Sequence, residues 1–169
     1  MKFTSSAANK ELRKLNEKLS KLQSLEEQYS VFTVEKSEDV EAVRPAFNFE
    51  ENYRELTEVI EKIRTTKHAI KLFNATTVVG STKLTIDEIL LMLPILQERK
   101  RMLSNLSLKM PKERHISRIN RASNFIEYDI INFDSSFVKN ECEKIENLIN
   151  DYQLQLDVTN NTVEFDIDY

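Results

Sequence analysis

The chain has 169 residues, 31% of them charged and 40% apolar, with one glycine, one cysteine and no tryptophan. This length and mixture predict a single domain, residues 1–169, and leave no room for an internal disulfide or a glycine-rich phosphate loop. The net charge of −4 is unevenly spread. Residues 62–124 carry 13 Lys/Arg against 4 Asp/Glu, and residues 127–169 carry 2 against 11. Two such blocks either neutralise each other or mark a surface for a partner, and self-neutralisation is the simpler reading.

The first residues, Met1 to Lys10, lack the apolar core of a secretion signal. The longest apolar run, Ile89–Leu96, is far shorter than the ~20 residues that span a bilayer. A cytoplasmic location is therefore expected. A first helix is predicted over about 6–30, with Leu12, Leu15, Leu19, Leu22, Leu25 and Tyr29 on one stripe. Val31–Val34 is β-branched and aromatic, so a short strand is open there. Asn48 and Glu51 have the spacing of a capping box for a second helix running to about Phe73. Phe49, Tyr53, Leu56, Ile60, Ile63, Lys67, Ile70 and Asn74 follow at 4-3 spacing, with the polar Lys67 and Asn74 leading the seam out toward solvent.

Thr85 and Glu88 form a second capping-box pattern. The third helix starts there with Ile86, Ile89, Leu90, Leu93 and Leu96 and continues through Met102, Leu103 and Leu106. Pro94 removes a backbone donor inside it, so a kink is expected. Lys112–Asn124 is basic and polar and reads as a loop. Ile126, Tyr128 and Ile130 alternate with Glu127, Asp129 and Ile131, which predicts a strand over about 126–133. Asp134 or Ser135 caps a fourth helix with Val138, Cys142, Ile145, Ile149, Tyr152 and Leu156 on its stripe. A turn at Thr159–Thr162 and a strand over about 162–167 close the chain. The strands have three open pairings: each other, the 31–34 segment, or a second subunit. The fold class is thus mainly α, four long helices in an antiparallel bundle or coiled-coil arrangement with short strands.

The order of parts in the second half resembles the septicolysin-like family of small bacterial helical proteins. Ile70 to Asn74, Leu84-Thr85, Arg121 through Ile126-Glu127-Tyr128-Asp129 to Phe133-Asp134, and Asn161-Thr162-Val163-Glu164-Phe165 carry the likeness. Lys71 and Phe73 depart from the family's polar Asn and Thr, and Pro94 is atypical. The resemblance implies a helical bundle with small β elements, and the family's name implies a lytic or pore-forming action.

No residue pattern announces catalysis. His68 stands beside Lys67 in a helix, and His115 stands among arginines. Cys142 lies on an apolar stripe between Glu141 and Glu143, where a small buried hydrophobe is expected. No metal-ligand spacing occurs, and no cofactor is expected. The most specific candidate is an anion-binding segment of Lys112, Arg114, Arg118 and Arg121, preceded by Lys109. It contains no aromatic stacking partner, and docking on the protein's own acidic half is the simpler role. A non-enzymatic helical assembly protein that associates with itself is the leading expectation, because the apolar stripes exceed what so few helices cover. An unknown protein partner, a membrane surface reached through Ile86–Leu96, and nucleic acid remain as alternatives.

Overall fold

The computed structural model describes residues 1–115 and 126–169. Among them the chain is mainly α, with five helices and four three-residue strands. In order these are β1 (Lys2–Thr4), α1 (Ser5–Tyr29), α2 (Val40–Val43), α3 (Phe49–Thr76), α4 (Ile86–Ser107), β2 (Lys112–Arg114), β3 (Tyr128–Ile130), α5 (Ser135–Thr162) and β4 (Glu164–Asp166). They fall into two compact units, one of residues 1–77 with 157–169 and the other of residues 78–156.

In the first unit, α1 and α3 lie antiparallel. Asn52 Nδ2 donates to Leu22 O at 3.3 Å, and Lys18 meets Glu55 at 3.0 Å, so rising numbers on α3 oppose falling numbers on α1. Leu15, Leu22, Val59 and Ile63 are buried between them, flanked by Leu12, Leu19 and Leu56. The α1 stripe is as predicted. The α3 seam is met in part: Ile63 is buried, Leu56 packs on this core and Ile70 is half-buried, but Phe49, Tyr53 and Ile60 are exposed and Asn52, Val59, Thr66 and Phe73 are buried instead. The seam rotates because two polar side chains are satisfied inside it. Asn52 is held by Leu22 O, and Thr66 Oγ1 donates to Lys62 O at 2.8 Å and sits 3.0 Å from the Tyr169 hydroxyl. Lys67 points to solvent as expected, whereas Asn74 is half-buried and does not lead the seam outward.

β4 pairs antiparallel with β1, with Phe3 opposite Phe165. The terminal ammonium of Met1 donates to Ile167 O at 2.9 Å, which extends the ladder by one rung. The Val31–Val34 segment forms no strand. Val31 is exposed, and Phe32 lies under the Arg44 guanidinium at 5.6 Å. The predicted turn at Thr159–Thr162 is the last turn of α5.

In the second unit, α4 and α5 also run antiparallel. Lys100 pairs with Glu146 at 2.6 Å, and the Cys142 thiol reaches Lys100 O and Ser104 Oγ at 3.9 and 3.8 Å. Val138, Ile149 and Leu156 are buried along α5, with Cys142, Ile145 and Tyr152 half-buried, as the stripe predicts. Thr85 and Glu88 form the expected capping box, the Glu88 carboxylate accepting from Thr85 N at 2.7 Å. That bond, and a second from the Thr85 hydroxyl, hold Glu88 below the usual carboxylate range. Asp134 caps α5 by accepting from Ser136 N at 2.8 Å. Helix α4 continues through Pro94 to Ser107.

Gly80 opens the turn between α3 and α4 with φ +49°, in the left-handed region. A Cβ there would meet the Gln155 side-chain carbonyl. Gly80→Ala should therefore lower stability by about 1–2 kcal/mol, read by urea unfolding. An unchanged midpoint would show that this turn relaxes freely.

Candidate functional site

The start of the basic segment, Lys112–Arg114, is a strand, which corrects the expectation of a loop at these three residues; the rest of that expectation, from 116 on, lies outside the described residues. β2 pairs antiparallel with β3, setting Lys112 opposite Ile130, Glu113 opposite Asp129 and Arg114 opposite Tyr128. Alternation along each strand then sorts the side chains by chemistry. Lys112, Arg114, Tyr128 and Ile130 share one face; Glu113 and Asp129 share the other. Lys112 Nζ stands 4.1 Å above the centre of the Tyr128 ring, a cation–π contact. All four residues of the basic face are exposed. Of the four predicted anion-binding residues, the structure brings Lys112 and Arg114 together; Arg118 and Arg121 lie outside the described residues.

The acidic face holds His115. Its amide donates to Glu127 O at 2.9 Å, and Nδ1 lies 3.0 Å from both Asp129 oxygens. The hydrogen bond first, and the charge of Asp129 second, raise the imidazole above its ordinary pKa of 6.5. A pKa raised by folding means that the protonated form supports the hairpin. The support is complete below the unfolded value and fades as pH rises through the higher folded one. Titration followed by NMR should thus place His115 above a histidine in an unstructured peptide, and Asp129→Asn should bring it back. An Asp129→Asn titration identical to wild type would exclude the ion pair.

The second histidine belongs to the other unit. His68 lines an open groove of about 490 Å³ along α3, together with Phe73, Phe165, Asp166 and Asp168. A neighbouring groove of about 580 Å³ holds Glu61, Lys62, Arg64 and Tyr169. Among the described residues no three His, Cys, Asp or Glu side chains are grouped to hold a metal, and no helix is long and apolar enough to cross a membrane.

Each charge block is divided between the two units, and most of both falls in the sequence of the second. Residues 78–156 carry 11 Lys/Arg and 11 Asp/Glu, so its basic and acidic stretches balance.

A feature missed in the sequence is the outer face of α4. Ile86, Ile89 and Leu103 are buried and Leu93 and Leu96 half-buried on one side of this helix. Leu91, Ile95, Met102 and Leu106 are 65, 63, 48 and 36% exposed. At 3.6 residues per turn these four lie within about 60° of one another, roughly 140° from the buried side. Helix α4 is apolar on two nearly opposite faces, of which one is buried and the other exposed. The signal was present as a second periodic set, hidden because the apolar residues of 86–96 read as one stripe.

No protein-family model matches the chain, and no curated protein matches it. A solved structure does: the crystal structure of a functionally unknown conserved protein from Corynebacterium diphtheriae. It is 17% identical, with a TM-score of 0.56, over 98% of this chain and 100% of that one. At that identity the two share a fold, and the fold is what the comparison carries.

Proposed function

We propose that this chain is a non-enzymatic helical assembly protein that associates with itself. The uncovered apolar face of α4 supports the reading. Four large apolar side chains at helical spacing are costly to leave in water, and a soluble helix ordinarily has one apolar stripe, not two. Multi-angle light scattering across about 1–100 μM should show a dimer or larger species. A monomer throughout that range would overturn the proposal.

A second reading is favoured by the hairpin, whose basic face combines Lys112, Arg114 and Tyr128. Anionic ligands would meet two cations and an aromatic ring on one exposed surface. Lys112→Ala/Arg114→Ala should then elute from heparin at lower salt than wild type. Equal elution would remove this reading.

A further inference from the structure

We infer that self-association uses the outer face of α4 in an antiparallel, two-fold pair with a second copy, centred between Glu98 and Arg99. The inference rests on the proposed self-association and assigns its surface and direction.

The exposed stripe is symmetric about that centre. In an antiparallel pair with this register Leu91 stands opposite Leu106 of the other copy, and Ile95 opposite Met102. Every exposed apolar residue of the stripe thereby gains an apolar partner. Two-fold symmetry makes each contact occur twice.

The charges follow the same symmetry. Asp87 and Glu88 lie at the start of α4, and Lys109 lies just past its end. The antiparallel register places Glu88 toward Lys109 of the second copy at both ends of the stripe, while Glu98 and Arg99 lie on opposite flanks of the axis, each beside its own copy. Glu98 is already turned toward Arg101 within its own helix, at 2.7–2.8 Å, so the centre carries both signs. A parallel pair would instead oppose Glu88 to Glu88 and set the Arg99–Arg101 run against its own copy. Like charges facing each other at Glu88 disfavour that direction, while the two Glu88–Lys109 pairs fix orientation and register and the Glu98 carboxylates at the axis are each met by Arg101 of their own helix.

The two copies would use a face that the fold does not need. Ile86, Ile89 and Leu103 stay in the core of each protomer while Leu91, Ile95, Met102 and Leu106 meet across the axis. Assembly therefore requires no unfolding of either unit.

Cysteine cross-linking of the full chain tests the arrangement, in a Cys142→Ala background. Glu98→Cys lies close to its own copy at the axis and should form a disulfide-linked dimer under mild oxidation. Leu91→Cys alone should not, because its copies would be about 22 Å apart along the helix pair. A mixture of Leu91→Cys and Leu106→Cys chains should cross-link. Ile95→Glu should raise the dissociation constant at least about 100-fold by placing a charge in the apolar seam, with an unchanged helical circular dichroism signal. Self-linking of Leu91→Cys would overturn the antiparallel direction. Wild-type self-association without Glu98→Cys linking, and undiminished in Ile95→Glu, would overturn the α4 assignment alone. A wild-type chain that is monomeric throughout would overturn the self-association reading itself. The cross-links decide the direction whether or not Ile95→Glu folds.

Discussion

Ile89→Ala should destabilise the chain by about 2–5 kcal/mol, while Ile95→Ala, six residues along the same helix, should change unfolding of the monomer by no more than about 0.5 kcal/mol. The two isoleucines have the same side chain and the same helical backbone. They differ in burial: Ile89 is fully enclosed and Ile95 is 63% exposed. Truncating Ile89 removes transfer free energy and leaves a cavity in the second unit. Truncating Ile95 removes atoms that already touch water. Urea unfolding at low protein concentration measures both. Equal losses would show that the outer face of α4 is packed within one chain, against the arrangement proposed here. The same contrast bears on the lytic action implied by the septicolysin resemblance. Inserting Ile86–Leu96 into a bilayer would withdraw Ile86 and Ile89 from the core. Dye leakage from anionic vesicles is thus expected to be absent between about pH 5 and 7.5; leakage in that range would revive the membrane reading.

How far sequence patterns reach is visible helix by helix. Helices α1 and α5 bury the stripes their periodicity predicts, because each packs apolar side chains along a single face. Helix α3 buries Asn52 and Thr66, and apolar periodicity is blind to a polar residue whose hydrogen bond is satisfied by tertiary structure. The short strands divide in the same way. β3 and β4 show alternation, but β1 has one large apolar residue, Phe3, and β2 has none. Both exist because a partner strand offers backbone hydrogen bonds, and the partner of β1 lies at the far end of the chain. The candidate surface was legible as composition and not as arrangement. Lys112 and Arg114 stand out as cations, yet their common face with Tyr128 arises only from the pairing register. Leu91 and Ile95 were obscured differently: strong hydrophobicity around the whole start of α4 hides that it has two faces.

Phe73→Ala should cost about 3–5 kcal/mol. The Phe73 ring is 5% exposed near the end of α3 and stacks on Phe165 of β4, with centroids 4.4 Å apart and planes at 23°. Phe165 stands opposite Phe3 in the β1–β4 pair. One aromatic contact thus joins a helix to the strand pair that gathers both ends of the chain. Two three-residue strands cannot hold together by their own hydrogen bonds, since an isolated hairpin is marginal even when longer. Their pairing must draw on side chains beneath the sheet, and Phe73 is the large one placed there. The loss should accordingly be accompanied by faster amide exchange at Phe3 and Ile167, ahead of global unfolding. Phe165→Ala should remove part of the same energy, so the double substitution should fall short of the sum by about 0.5–1.5 kcal/mol. Full additivity would mean that the two rings do not stabilise one another, and that the strand pair is held by Ile167 and the Met1 ammonium instead.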